Sequence, residues 1–299
     1  MSKSSFPSID HSVIEPVSLP QNMQGHQLFI LREDLIHSII SGNKWRKLKY
    51  VFEYVQANKF DGIITYGGAF SNHLVACAAA AKLHGIRCVL RVRGEELTSN
   101  SNEYLSFCKS QGAELKFMGR SDFKEAKHTG GPLEFQGKTY FSIPEGGAHV
   151  LGLKGCKEIV DQSMNFDFIA LAQGTTTTSL GVLLSSSPDS EVWVFPVLKG
   201  FDSIQEMQAL AQRFNCEKEW EMNKHRLRVF SNYHFSGYGK GSHEVQQAFN
   251  ELQANIHVEL DEVYTMKAFV GLLTELKKQN NTLKGLFIHT GGVFSHGLF

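Results

Sequence analysis

The stretch GIITYGGAFSNH, residues 62–73, decides the fold class of this 299-residue chain. Residues 63–66 are β-branched or aromatic, which is typical of a buried strand. Two glycines then permit a tight turn, and Ser71 and Asn72 stand where a following helix would begin. A strand that leads through a glycine turn into a helix is the repeating unit of parallel sheets covered by helices.

Helix-like and strand-like segments alternate from about residue 45 onward. Apolar residues at helical spacing predict helices over 45–59, 71–84, 103–111 and 153–164. Short apolar runs predict strands over 62–66, 87–92, 114–117, 140–143, 168–172, 192–195, 227–230 and 286–289. The polar stretch 119–137 is predicted to be an exposed excursion. The pattern predicts an α/β fold with doubly wound, mostly parallel sheets, whose ligands bind beyond the carboxyl ends of the strands.

The composition favours a globular protein that binds neither nucleic acid nor membrane. Hydrophobic residues make up 42% of the chain, and 30 basic residues balance 30 acidic ones, without the basic surplus that nucleic-acid binding needs. No uninterrupted apolar run approaches a membrane span, and residues 1–10 lack the apolar core of a secretory signal. Five scattered cysteines suit reduced thiols in a cytoplasmic protein. With no zinc-type spacing of His and Cys, we expect no metal site.

The segment SGNKWRKL, residues 41–48, places Lys44 just inside a predicted helix start. The amino end of a helix carries partial positive charge and disfavours a second cation, so the pKa of Lys44 is expected to be lowered. A neutral amine is the form that makes a Schiff base with a carbonyl. The segment alone leaves open that Lys44 is an ordinary lysine on a solvated helix.

Two further turns follow strands and open helices. Ser71 and Asn72 would offer free backbone N–H groups to an anion such as a carboxylate, although an ordinary helix cap fits equally. The segment QGTTTTS, residues 173–179, combines a glycine with four consecutive threonines, which suits a phosphate at a helix start, or a plain polar turn. No dinucleotide or nucleotide-triphosphate motif is present. His289 alone is more typical of a satisfied core histidine than of a ligand.

Six motifs occur in order along the chain: GNKxRKL at 42–48, GGxxSNH at 67–73, IPEGG at 143–147, SGYG at 236–239, DxVYTxK at 261–267 and HTGG at 289–292. Together they resemble the 1-aminocyclopropane-1-carboxylate (ACC) deaminase and D-cysteine desulfhydrase family, which are tryptophan-synthase-β-like, fold-type-II enzymes that use pyridoxal 5'-phosphate (PLP). The resemblance implies two doubly wound α/β domains with PLP in the cleft between them. The small domain would span 48–155, and the large PLP-binding domain would combine 1–47 with 156–299. It also implies a homodimer.

The resemblance implies roles for residues of these motifs. Lys44 would carry PLP as a Schiff base, Asn72 would face the phenolic oxygen of PLP, and Thr265 would face its pyridine nitrogen. The catalytic residues would be Lys44, Ser71, Tyr238 and Tyr264. Cofactor binding would use Lys44, Asn72, Gly174, Thr175, Thr176, Thr177 and Thr265. The substrate, a small amino acid, would contact Ser71, Asn72, His73, Tyr238 and Tyr264.

Thr265 bears on which reaction is predicted. In the ACC deaminases of this family an acid stands at this position, and a neutral hydroxyl stabilises a protonated pyridine ring far less. We therefore predict a D-cysteine desulfhydrase-like elimination that yields pyruvate, sulfide and ammonia. ACC deamination is the alternative, and a non-catalytic protein that binds PLP or an amino acid is a third.

Several residues depart from the family pattern. Phe70 replaces a usual glutamine, an arginine expected within residues 74–76 is absent, and Thr175 and Ser179 stand where glycines are usual. Phosphate binding is compatible with these changes, whereas the substrate preference depends on them.

Overall fold

The computed structural model describes residues 13–23, 25–237, 242–252 and 256–292. The chain divides into two compact units. The described part of the first unit is His37–Gly155, and that of the second combines residues 13–36 with 156–292. Within these ranges, every helix falls short of the length and apolarity that crossing a membrane requires.

The described strands form two sheets. In chain order they are β1 (Ile14–Val17), β2 (Gln27–Leu31), β3 (Gly62–Gly67), β4 (Arg87–Arg93), β5 (Glu114–Met118), β6 (Gly131–Phe135), β7 (Lys138–Ile143), β8 (Phe168–Gln173), β9 (Glu191–Pro196), β10 (Leu227–Val229) and β11 (Lys284–Ile288).

The described α-helices mostly follow strands, as the sequence pattern predicts. They are α1 (Asn43–Ala57), α2 (Asn72–His84), α3 (Glu103–Ser110), α4 (Arg120–Ala126), α5 (Val150–Cys156), α6 (Thr177–Ser185), α7 (Ser203–Arg213), α8 (Glu217–Asn223), α9 (Ser242–Glu251) and α10 (Thr265–Leu276).

The sheet of the first unit has the strand order β5-β4-β3-β7-β6. All its pairings are parallel except that of β6 with β7. All six residues of the central strand β3 are buried, which explains its run of β-branched and aromatic residues. Tyr66 of β3 pairs with Arg91 of β4, so the carboxyl ends of both strands lie at the same edge of the sheet.

The sheet of the second unit has the strand order β1-β2-β11-β8-β9-β10 and is parallel except for the pairing of β1 with β2. Helix α10 packs on β8 and β9, and its apolar residues join a large core. Members of that core include Leu28, Ile30, Phe168, Trp193, Phe195, Phe269, Leu272, Leu273 and Phe287. The two sheets confirm the predicted α/β class with mostly parallel strands.

The stretch 119–137 is more ordered than predicted. It contains α4 and the edge strand β6, which pairs antiparallel with β7. The side chain of Phe123 is only 2% exposed and packs edge-on against Tyr66, with ring centroids 6.4 Å apart. The predicted exposure of the whole stretch is therefore wrong, because a few apolar residues spaced among polar ones suffice to attach a helix and an edge strand.

One helix boundary differs from the prediction. Helix α5 ends at Cys156 rather than extending to 164, and the N–H of Ile159 then donates to the carbonyl of Cys156 at 3.3 Å, which is the bond of a turn. A second turn follows, where the carboxylate of Asp161 accepts the N–H of Ser163 at 2.7 Å. The described part of the first compact unit runs from His37 and contains α1 as one piece. The division into a small domain over 48–155 and a large PLP-binding domain stays a prediction. Which domain serves which function remains a prediction.

Candidate active site

Lys44 lies in the first turn of α1, in the first unit, and is half-buried. Its amino group donates a hydrogen bond to Oδ1 of Asn43 at 3.1 Å. The residue before the helix, Gly42, has no side chain that could cap the helix. The positive end of the helix dipole near Lys44 is therefore not offset by a capping oxygen. The structure thus places Lys44 at a helix start, as the sequence predicted.

Lys47, one turn further along α1, is in a different environment. Its side chain is fully buried, and Nζ donates to the carbonyl of Gly146 at 2.9 Å. Gly146 belongs to the IPEGG motif, which follows the carboxyl end of β7. Lys47 therefore fixes α1 to that loop, and the two lysines of the GNKxRKL motif have separate structural positions.

The turn between β3 and α2 is compact. A Cβ atom on Gly67 would lie 2.8 Å from Oγ of Ser71, so only glycine allows this approach. The N–H of Ser71 donates to the carbonyl of Gly68, and its Oγ accepts the N–H of Leu74 at 3.4 Å. Ser71 is thus the N-cap of α2, and Asn72 is the first residue of the helix. The predicted carboxylate site coincides with a true helix start.

His73 is buried behind this turn. Its Nε2 lies 2.8 Å from Oγ1 of Thr65, whose own hydroxyl donates to the carbonyl of Ile143. Because that hydroxyl has one proton, Nε2 of His73 must be the donor to Thr65. Burial lowers the pKa of His73 well below its usual value, and the charges of Lys44 and Lys47 lower it further. His73 is therefore neutral, and its imidazole holds α2 against β3; direct substrate contact by His73 remains a prediction.

The structure adds neighbours of the turn that the sequence did not indicate. A Cβ atom on Gly68 would lie 3.6 Å from Nη2 of Arg93, which ends β4. Nδ2 of Asn102 donates to the carbonyl of Ala69 at 3.3 Å. The ring of Phe70 stands edge-on to that of Tyr104, with centroids 5.7 Å apart. A parallel pairing of two predicted strands was the signal that could have located Arg93.

In the second unit, β8 leads through Gly174 into α6. The helix has no side-chain cap at Thr176. Oγ1 of Thr177 is buried and has no hydrogen-bond partner among the described residues. A buried hydroxyl without a partner costs free energy, which an anion at this position would recover. The side chain of Gln173 braces the loop by donating to Oγ of Ser179 at 2.7 Å.

Tyr264 and Thr265 lie beside this loop, at the start of α10. A Cβ atom on Gly174 would come within 2.7 Å of the Tyr264 ring, so the ring packs directly on the glycine backbone. Thr265 is fully buried, and its Oγ1 accepts the N–H of Asp261 at 2.8 Å. The structure thus brings the QGTTTTS and DxVYTxK motifs together. Tyr238 lies outside the described residues.

His289, directly after β11, is held by hydrogen bonds to the backbone, as expected of a histidine with a structural role. Its Nδ1 accepts the N–H of Gly291 at 3.2 Å, so Nε2 carries the proton and donates to the carbonyl of Glu259 at 2.8 Å. Burial lowers the pKa of His289, opposed by the nearby carboxylate of Asp34. Among the described residues no group of three His, Cys, Asp or Glu side chains forms a metal site.

Comparison with known proteins decides the family. The family described as "Pyridoxal-phosphate dependent enzyme" matches residues 14–291. The chain belongs to this family. A relative from Pyrococcus furiosus, provisionally named a 1-aminocyclopropane-1-carboxylate deaminase, is 34% identical over 286 residues, which cover 90% of this chain and 85% of the relative. A relative from Pyrococcus horikoshii with the same provisional name is 33% identical, and the match covers 90% of this chain and 85% of the relative.

Solved structures support the assignment of the chain to the PLP-dependent enzymes. The crystal structure of an ACC deaminase homologue superposes with a TM-score of 0.73 and 27% identity, covering 96% of this chain and 90% of that one. A hydrogen sulfide-producing enzyme from Fusobacterium nucleatum superposes with a TM-score of 0.64 and 14% identity, covering 97% and 98%, and shows the shared fold. The cofactor is therefore PLP.

Each unit, taken by itself, contains groups that suit PLP. The phosphate of PLP requires hydrogen-bond donors, and the start of α6 offers uncapped amides together with the orphaned hydroxyl of Thr177. The aldehyde of PLP requires an amine, and Lys44 provides one in a half-buried position.

Proposed function

We propose that this enzyme removes the amino group of a small amino acid, with ACC as the first substrate to test. ACC and water would yield 2-oxobutyrate and ammonia. The relatives from Pyrococcus support this choice, since they are provisionally named for that reaction and are 33–34% identical over 90% of the chain. The observation that carries deamination in general is the half-buried Lys44 in the first turn of α1, in a family defined by its use of PLP.

The proposal assigns the chain's own residues as follows. Lys44 holds the cofactor covalently and moves a proton at the substrate. Amides at the start of α2, next to Ser71 and Asn72, bind the substrate carboxylate. Gly174 and the threonines 175–177 hold the phosphate. Bound PLP supplies the electron sink for charge that develops on the substrate carbon atoms.

Thr265 favours D-cysteine as a second candidate substrate. A threonine hydroxyl is neutral and cannot stabilise a pyridinium ring as a carboxylate does. In addition, its Oγ1 already accepts the N–H of Asp261. Elimination of a thiolate demands less of the electron sink than opening the ring of ACC. D-cysteine and water would yield pyruvate, hydrogen sulfide and ammonia.

A product assay on the purified holoenzyme separates the two candidates. The enzyme is incubated with ACC, D-cysteine or L-cysteine, and 2-oxobutyrate, pyruvate, sulfide and ammonia are quantified. Release of 2-oxobutyrate from ACC supports the first candidate. Sulfide and pyruvate from D-cysteine alone favour the second. Absence of any oxo acid from all three substrates contradicts both.

A variant of Lys44 tests the site itself. We expect Lys44→Ala to lose at least ~10³-fold in kcat, because general acid–base catalysis and covalent attachment are lost together. Lys49→Ala, on the same helix, is the matched control and keeps its activity. Equal turnover by Lys44→Ala and the wild type would place the site elsewhere.

A further inference from the structure

Lys267 is a buried lysine in the third position of α10, two residues after Thr265. Its side chain is 1% exposed. Its amino group donates to the carbonyl of His234 at 3.1 Å and to that of Gly237 at 2.8 Å. Burying an ammonium group is costly unless hydrogen bonds compensate it, so these contacts indicate a specific role.

The turn that Lys267 contacts has an unusual backbone. Three consecutive residues, Phe235, Ser236 and Gly237, have φ angles of 44°, 66° and 103°. Only glycine adopts this left-handed region without cost, so the conformation of Phe235 and Ser236 must be stabilised by its surroundings. Within the turn, the N–H of Gly237 donates to the carbonyl of His234 at 2.9 Å. The ammonium group of Lys267 donates to the same carbonyl and also to that of Gly237, so it links the two ends of the turn.

Helix α10 holds the preceding residues independently of Lys267. The hydroxyl of Tyr233 donates to Oε1 of Glu275. A Cβ atom on Gly271 would lie 2.8 Å from Cγ of Tyr233, so this ring packs directly on the helix backbone. These contacts keep the segment on α10 when Lys267 is replaced. Loss of the ammonium group should therefore release only residues 234–237.

The position of the turn links it to the proposed site. Gly237 directly precedes Tyr238 in the sequence, and Lys267 follows Tyr264 and Thr265 on α10. We propose that Lys267 is a positioning residue, which fixes the backbone leading into Tyr238 against the helix that carries Tyr264 and Thr265. This inference rests on the proposed function, which assigns Gly174, the glycine under the Tyr264 ring, to the phosphate, and on the substrate role that the family resemblance implies for Tyr238 and Tyr264.

The charge environment of Lys267 is compatible with this role. Burial lowers its pKa, while the carboxylates of Asp261 and Glu244 oppose that shift. Among the residues that the structure describes, the ammonium group therefore has two carbonyl acceptors, those of His234 and Gly237, and two acidic neighbours. A glutamine at this position would keep N–H donors without charge, and a methionine would keep the volume without donors.

The test compares Lys267→Met and Lys267→Gln with Arg226→Met as the matched control. Arg226 is also a buried cation of the second unit that donates to backbone carbonyls, those of Leu183, Ser187 and Ser190. With saturating PLP and below the unfolding temperatures, we expect Lys267→Met to lose ~10- to 100-fold in kcat with little change in KM. Lys267→Gln should recover part of kcat. Arg226→Met should unfold at a lower temperature but keep kcat.

Hydrogen–deuterium exchange provides a readout that does not depend on turnover. Peptides covering residues 231–237 should exchange faster in Lys267→Met than in the wild type and in Arg226→Met. Unchanged exchange, a kcat within twofold of the wild type, or the same kcat loss in Arg226→Met would overturn the proposal. If Lys267→Met does not fold, the glutamine variant is judged by the same criteria. If the wild type converts neither ACC nor D-cysteine, the proposed function fails, and exchange alone decides whether Lys267 fixes the turn.

Discussion

The two helix starts proposed to bind anions, that of α2 in the first unit and that of α6 in the second, are built differently. At α2, Ser71 caps the helix with its own hydroxyl. At α6, Thr176 provides no side-chain cap, and the hydroxyl of Thr177 is buried without a partner among the described residues. The start of α2 is therefore partly satisfied without a ligand, whereas the hydroxyl of Thr177 at the start of α6 is not.

This difference suits the two anions proposed for the sites. A substrate carboxylate must arrive and leave at every turnover, so a helix start that is stable by itself is appropriate. The phosphate of PLP stays bound, and an unsatisfied group can therefore contribute to its affinity. The contrast predicts that ligand binding, titration and substitution will affect the two helix starts differently.

The largest expected effect is that of removing PLP. At a PLP concentration of about 100 times Kd, binding stabilises the folded state by ~2.7 kcal/mol, so the apoenzyme should unfold several degrees lower. Inorganic phosphate should restore part of that stability, whereas acetate at the same concentration should restore little. Scanning calorimetry of the four samples measures this. Stronger protection by acetate than by phosphate would contradict the assignment of α6.

The second expected effect is that the stability of the first unit depends on pH. His73 is held neutral in the folded state, while the unfolded chain binds a proton with the usual pKa of 6.5. Its contribution to stability is therefore complete above pH 6.5 and falls as the pH decreases, by up to ~1.4 kcal/mol per pH unit. The α6 loop, residues 174–179, has no titratable side chain. The start of α2 should thus be the acid-sensitive one.

Substitution of His73 checks this. His73→Gln keeps an N–H donor for Thr65 without a titratable group, so denaturant unfolding between pH 7 and 5 should show a smaller loss of stability than in the wild type. The partners of His73 in this region are Thr65, Cys77 and the charges of Lys44 and Lys47. An unchanged pH slope in the variant would assign the acid sensitivity to other groups.

These helix starts also show what the sequence could predict. The strand β3, the glycine turn and the beginning of α2 are set by neighbouring residues, so local pattern located them to within a residue or two. Arg93 and Asn102 reach the same turn from β4 and the start of α3, and their proximity depends on strand pairing and helix packing. The short edge strands β1 and β6 were missed, because polar residues interrupt their apolar pattern.

The second unit shows the same limit. The QGTTTTS segment was compatible with a phosphate site or with a plain polar turn, but the absence of a partner for the Thr177 hydroxyl among the described residues is a property of the folded loop. Likewise, the DxVYTxK motif includes Lys267, but the contacts of Lys267 depend on the left-handed turn at 235–237. The residue types Phe235 and Ser236 do not predict positive φ angles, so the sequence did not indicate this turn. Local geometry was predictable here, whereas contacts between distant segments required the structure.

A pair of substitutions compares the two helix starts directly. Thr177→Val removes the orphaned hydroxyl, so we expect the apoenzyme to gain ~1 kcal/mol and the affinity for PLP to fall ~10-fold. Ser71→Ala removes a cap, so apoenzyme and holoenzyme should both lose ~1 kcal/mol. Fluorescence titration with PLP and denaturant unfolding measure these changes.

Thr274→Val is the matched control for Thr177→Val. The hydroxyl of Thr274 donates to the carbonyl of Val270 at 2.7 Å, so its loss should cost stability and leave PLP affinity unchanged. If Thr177→Val destabilises the apoenzyme as Thr274→Val does, then Thr177 has a partner in solution and the contrast between the two helix starts is incorrect.

The smallest expected effect on stability is that of Phe70→Gln. Phe70 precedes the cap of α2, is 59% exposed and contacts Tyr104 edge-on. Because the ring is mostly in solvent, the free energy of unfolding should change by less than ~0.5 kcal/mol. The glutamine amide adds a hydrogen-bond donor beside the proposed carboxylate site, so KM for the amino acid should fall about threefold. Leu83→Gln, at the other end of α2, is the exposed control and should leave KM unchanged. A rise in KM instead would mean that the aromatic ring of Phe70 itself contacts the substrate, and the start of α2 would then select its ligand by an apolar surface as well as by its amides.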